Sequence, residues 1–326
     1  YVFLGALSDS FGAKKVLCCQ LILFLMSFLI CLFSQSMIIF LLGIFMQGAS
    51  SYYTLIIRYC KVQLDFNVVQ LLSILSITGT IFVPINAMIS GHLAHHNWRH
   101  IFVLWSAISI LCLALTIFLP TKPSVKYIKF SLAEYLKNLS FFIQNSSFHE
   151  TFLCIVTVQA VLAIFYTLSP HIFITDFSLS PKAYASYLFI PTAGSLFGYS
   201  ITSPLKKLLG EQGCILAGEI IALTGILSFV VLFYFFPTPL LFMITLGFFM
   251  ISIPLVSTNI YMQVMAINAA LAGSALSILS IGLNAFNGVI GISAAQQDGE
   301  QMGVFMLIIL TVGFGSYNFL KRRNKV

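Results

Sequence analysis

Gly5-Ala6-Leu7-Ser8-Asp9-Ser10-Phe11-Gly12-Ala13-Lys14-Lys15 is a polar, charged turn set between two stretches of almost pure hydrocarbon. Gly5 and Gly12 permit a tight loop and close helix approach. Asp9 is placed to accept hydrogen bonds from the positive amino end of a neighbouring helix, while Lys14 and Lys15 hold the loop at a membrane surface. Only Tyr1 to Leu4 precede the turn. A helix ending near Leu7 rises about 10 Å at ~1.5 Å per residue, against a bilayer core of about 30 Å. Tyr1 to Leu7 therefore reads as the inner end of a membrane helix whose start lies before this sequence.

Working outward, hydrophobic residues make up 59% of the chain and charged ones 8%, against about 25% charged in ordinary soluble domains. This is the composition of a polytopic membrane protein. The apolar stretches are long, Leu-, Ile- and Phe-rich and separated by short polar breaks, which is the pattern of a helical bundle; a barrel needs alternating strands of about ten residues. They run about Val16–Phe33, Met37–Ile57, Val68–Leu93, Ile101–Leu119, Thr151–Thr175, Ala183–Pro204, Cys214–Phe236, Leu240–Gln263, Ala272–Ala295 and Met302–Leu320. The expectation is an all-α protein with ten complete transmembrane helices and a stub.

The net charge of +7 sits in the short breaks, where basic residues set topology rather than invite nucleic acid. If the opening turn is cytoplasmic, fourteen of the sixteen Lys and Arg fall inside, leaving only Arg99 and Lys182 outside. The seven cysteines lie mostly in apolar runs without metal-type spacing and read as packing residues. The longest break, Pro120 to Phe148, lies inside and separates an N-terminal half over 1–119 from a C-terminal half over 149–326. Within this linker, Ser131-Leu132-Ala133-Glu134 has capping-box spacing and Leu132, Leu136, Leu139 and Ile143 recur near a helical period, so an amphipathic surface helix is predicted. Laying Gly210 over Gly12 superposes Ser203–Gly210 on the opening turn; only Leu205 and Gly210 find their counterparts. The weak repeat suits two parallel six-helix halves, with twelve helices as the parent architecture.

The opening turn resembles the signature of the major facilitator superfamily, of the form G-x-L-x-D-R-x-G-R-[KR], between helices 2 and 3. Gly5, Leu7, Asp9, Gly12 and Lys14 match it; Ser10 and Ala13 replace its arginines. Further along, Gln47-Gly48-Ala49, Val83-Pro84, Gly91, Trp98-Arg99 with Ile101-Phe102, Ser169-Pro170, Ser257-x-Asn259 and Ala272-Gly273-Ser274-Ala275 resemble the bicyclomycin and chloramphenicol resistance branch, the twelve-helix drug:proton antiporters. The resemblance implies two six-helix halves, a conformational latch formed by Gly5, Asp9, Gly12 and Lys14, and alternating access. The chain departs from that pattern at Ile44, where an arginine is usual, at Arg58-Tyr59, where Arg-Asp is usual, and at Met88 and His92, where proline and glycine are usual. The acid of the family's first helix, which commonly couples protons, is not in this sequence.

Within the spans the one well-embedded carboxylate is Glu219, the coupling candidate, because an ionised carboxylate at mid-membrane costs roughly 2.5 to 3.5 kcal/mol on insertion scales. Gln47, Tyr52, Asn86, Gln159, Tyr166, Asn259 and Asn284 are candidates to line a substrate cavity, or else to bond helix to helix, since lipid offers such groups no partner. Tyr53 and Asn287 belong to the same set. His92, His95, His96 and His100 form one metal-like cluster, but a di-iron membrane enzyme needs about three histidine boxes and the chain has six histidines. The cluster reads as a solvated outer loop, with no metal, no cofactor and no enzyme activity expected. The expected partners are a small amphipathic substrate, protons and membrane lipids, with no nucleic acid, for a monomer in the inner membrane. A carrier that takes up or exchanges a small metabolite and a truncated, non-transporting remnant are the alternatives.

Overall fold

The computed structural model describes residues 11–49, 56, 59–60, 68–120, 132–268, 271–296 and 299–323. Among them every regular element is helical and no strand occurs. The helices are α1 (Ala13–Phe33), α2 (Met37–Ala49), α3 (Val68–His96), α4 (Arg99–Phe118), α5 (Leu132–Gln144), α6 (Ser146–His171), α7 (Pro181–Tyr187), α8 (Phe189–Phe235), α9 (Pro239–Ile267), α10 (Ala272–Ala294) and α11 (Gly299–Arg323). Their ends follow local chemistry. The Asn145 side chain accepts from the Phe148 amide at 3.1 Å and starts α6. Ser180 does the same for Ala183 ahead of Pro181 and starts α7, and Pro239 opens α9. After Pro170 the last turn of α6 widens into a π turn, Ile172–Asp176.

Eight helices among the described residues are long and apolar enough to cross a membrane. One of them, Pro181–Phe235, contains two of the spans expected from the sequence. Its main part, α8, has 47 residues and would be about 70 Å long if straight, twice a bilayer core. It breaks at Gly210, with φ 72 and ψ 179. The expected span over 37–57 is described as a helix only to Ala49.

The contacts divide the chain into two units, Tyr1–Thr78 with Ile89–Tyr135 and Gly79–Met88 with Leu136–Val326. In the first unit α1 lies against α2 and α4, and Phe28 on α1 meets Phe102 and Trp105 on α4 at 6.4 and 6.2 Å. Two cations close this pair end to end. Lys14 Nζ, in the first turn of α1, donates to Ile117 O at 2.8 Å and Leu119 O at 2.7 Å at the end of α4. At the other end Arg99, the first residue of α4, donates from Nε to Leu32 O at 3.2 Å and from Nη2 to Ser34 O at 2.9 Å at the end of α1. Each helix thus places a positive charge on the carbonyl-rich, partly negative terminus of the other. Arg99 also lies 4.4 Å over the Trp98 ring, and Trp98 meets Phe40 and Phe102 edge-on.

In the second unit one core joins α6, α8, α9, α10 and α11. Here α8 and α9 meet through glycine. A Cβ on Gly194 would overlap the Gly247 carbonyl oxygen; on Gly198 it would lie 2.6 Å from Ile251 O and on Gly225 2.9 Å from Phe249 N. Small residues of this kind let backbones approach in a membrane, where dispersion rather than water expulsion holds helices together. At one end of the seam Phe229 and Phe242 cross at 4.4 Å, with Phe173 5.0 Å from Phe242. Helix α5 is amphipathic as expected; among its described side chains Phe142 and Leu139 face protein while Phe141 and Ile143 are exposed. Phe142 is fully buried, 5.5 Å from Phe148, and Leu139 packs on the same core.

Candidate functional site

Gly210 bends the chain so that 211–235 returns as a separate span, and Glu219 lies two turns into it. Glu219 is 4% exposed. Its Oε2 accepts from Asn318 Nδ2 at 2.9 Å, and the same amide also donates to Phe314 O at 3.0 Å. Asn318 is therefore fixed by its own helix before it reaches the acid. Buried Tyr317 is its sequence neighbour, Lys321 Nζ lies 5.3 Å over the Tyr317 ring, and the same ammonium donates to Gln212 Oε1. One turn of α11 thus meets the start of 211–235 through an acid, two amides, a phenol and a cation. Glu219 stands out in the sequence as an acid inside a span, whereas Asn318 does not, although it is the only amide in the 302–320 run.

A second polar group lies on α9 beyond Pro254. Asn259 is 1% exposed and its Nδ2 donates to Leu255 O at 2.8 Å. Its Oδ1 and the buried Ser257 Oγ have no hydrogen-bond partner. Orphaned polar atoms at this depth are costly, about 1–3 kcal/mol each. The same holds for Asn287 Oδ1 on α10.

The remaining candidates separate. Gln159 on α6 is half-buried, and Tyr166 on the same helix is 47% exposed with its ring 5.1 Å from Phe165. Asn86 and Asn284 are exposed. Gln47 donates from Nε2 to Cys31 Sγ at 3.6 Å, so it bonds α2 to α1. Nearly three turns further along α6 from Gln159, Ser169 Oγ shares a hydrogen bond of 2.8 Å with Tyr184 Oη, a buried contact that places the Ser169-Pro170 pair.

Of the opening turn, Gly12 and Lys14 are described; Gly5 and Asp9, like Tyr52 and Tyr53 among the cavity candidates, lie outside the described residues. Gly12 precedes α1 with φ 90 and ψ 136, and Lys14 is committed to the end of α4. Buried Tyr59 donates to Pro120 O at 2.6 Å beside that same end. This gives the departure at Arg58-Tyr59 a use, because a phenol can donate to a carbonyl and an ionised Asp cannot. Burial raises the Tyr59 hydroxyl above its ordinary pKa, with Cys60 adding to the shift, so it remains a neutral donor. Among the described residues no group of three or more His, Cys, Asp or Glu converges as a metal site.

Compared with known proteins, residues 1–292 match the model of the Major Facilitator Superfamily. Among solved structures, a mutant of the nucleoside transporter NupG is similar with a TM-score of 0.70, at 15% sequence identity, over 98% of this chain and 86% of that one. At that identity the likeness is one of fold.

Proposed function

The chain belongs to the major facilitator superfamily and is a multi-pass membrane carrier of the secondary type; on that premise we propose that it exports small amphipathic compounds in exchange for protons by alternating access. The reading follows the bicyclomycin and chloramphenicol resistance branch, for a monomer in the inner membrane. The observation that carries it is the Glu219–Asn318 contact. A cation partner would hold the carboxylate ionised. An amide N–H can donate to Oε2 both when Oε1 is bare and when it carries a proton, more strongly in the first case. Glu219 can therefore load and release a proton without losing the contact that positions it.

Gln159, Tyr166, Asn259 and Asn284 are assigned to the substrate wall. Asn259 fits this best, since its orphaned Oδ1 is an acceptor in want of a donor. Gly12 and Lys14 set and anchor the opening turn on its own half, and Asp9 is assigned the switching part of the latch.

The test uses energised vesicles and a panel of amphipathic drugs. Drug movement should stop when the pH gradient is collapsed. Glu219→Gln should lose at least tenfold in proton-driven transport while retaining substrate counterflow, which needs no proton. Drug movement indifferent to the gradient refutes proton coupling. Accumulation of a small metabolite without drug movement supports uptake instead, and movement of nothing under either gradient supports a non-transporting remnant.

A further inference from the structure

The sequence places the His92–His100 cluster in a loop, on the assumption that α3 ends near Leu93. Helix α3 instead continues to His96. This extra turn puts His92 and His96 four residues apart on a helix, hence on one face and within side-chain reach. Their ring centroids are 5.8 Å apart with planes at 84°, and both side chains are exposed.

We propose that His92 and His96 form a surface site for one borderline divalent transition ion, Zn2+, Cu2+ or Ni2+. Imidazole nitrogen binds these ions at about 2.0–2.1 Å. That puts the ion about 3.2 Å from each ring centre, and a tetrahedral angle at the ion then spaces the centres by about 5.2 Å. The observed spacing is a small side-chain rotation away. Two features favour a cation at this place. His96 ends α3 and His92 lies one turn before it, where the helix dipole presents its negative end. The nearby cation Arg99 is already spent on Leu32 O and Ser34 O, so its charge is held at the end of α1. His95, with its ring 5.4 Å from His96, is adjacent to His96 in sequence and so lies about 100° round the helix from it. Since no group of three such ligands converges among the described residues, water completes the coordination and the ion exchanges freely. By the distribution of Lys and Arg this end faces outward, so the ion would come from outside. The site does not depend on the carrier reading.

Cu2+ titration of the full chain in detergent, purified through a tag without histidine, tests the site by electron paramagnetic resonance. The expected spectrum is one ion per chain coupled to two imidazole nitrogens. His92→Ala and His96→Ala should each weaken binding at least tenfold, with His95→Ala and His171→Ala unchanged. Because all four side chains are exposed, these variants should fold as the parent does. Equal binding by the His92 and His96 variants, a stoichiometry that follows total histidine content, or loss on His95→Ala alone overturns the assignment.

Discussion

Two helix pairs in this chain are joined in opposite ways. Helices α8 and α9 touch backbone to backbone along their length, through Gly194, Gly198 and Gly225. Helices α1 and α4 are fastened at their ends, by Lys14 on Ile117 O and Leu119 O and by Arg99 on Leu32 O and Ser34 O. Contact through glycine fixes spacing to a fraction of an ångström and leaves nowhere for an added atom. End fastening sets position at two points and leaves the flanks free to repack. Sensitivity to substitution should therefore sit in the middle of one pair and at the tips of the other.

The severest challenge to this contrast is Gly194→Ala, whose Cβ overlaps the Gly247 carbonyl. It should destabilise the purified protein by about 3 kcal/mol, read as a lowered unfolding midpoint in detergent. Gly288→Ala, where nothing lies within 4 Å, should be neutral or raise stability by up to ~1 kcal/mol as a better helix former. Equal midpoints for the two variants would break the account of the seam.

Next in size is Asn318→Leu. It leaves the buried Glu219 without the amide donor at 2.9 Å and should cost about 2 kcal/mol. Glu219→Leu in the same background should recover most of that loss, since the stranded acid goes with its partner. Failure to recover stability would mean that the pair is not coupled.

At the tips of α1 and α4 the effects should be smaller. Arg99→Ala should cost about 1–2 kcal/mol and Lys14→Ala about 0.5–1 kcal/mol, because each cation reaches two carbonyls but the guanidinium also covers Trp98. The 20 residues of α4 separate the sites by about 30 Å, so the double variant should be additive within ~0.5 kcal/mol. A large coupling energy would show that the two ends move as one body. Smallest in stability is Asn259→Leu, which discards one bond and one orphaned oxygen together and should shift the midpoint by less than ~0.5 kcal/mol. If this residue lines the substrate path, transport should nevertheless fall at least tenfold; unchanged transport would return Asn259 to packing.

How much of this can be read from the sequence depends on what kind of partner each residue has. The spans are legible because lipid imposes length and apolarity on each separately, and Glu219 is legible as a charge in the wrong solvent. The end fastenings are not, because Lys14 and Arg99 bind main-chain carbonyls, and an acceptor every residue possesses leaves no mark in the letters. Asn318 stays hidden for a related reason, since its meaning lies in a partner 99 positions away. The end of α3 is misplaced because histidines after Leu93 look like a loop, whereas the backbone carries its hydrogen bonds on to His96. Helix α5 is correctly amphipathic, yet whether lipid or protein covers Phe142 is a tertiary fact.

The weak internal repeat has a backbone counterpart that the letters do not show. Gly12 and Gly210, the residues superposed by that alignment, are the glycines with positive φ among the described residues. At Gly210 the pair φ 72, ψ 179 is closed even to Asn, which tolerates only the left-handed helical region. Reflected, the same angles become φ −72, ψ −179, ordinary extended backbone. A D-alanine placed at 210 by chemical ligation should therefore keep the turn that an L-alanine destroys. What the two glycine positions share is a handedness, held in each by an achiral residue.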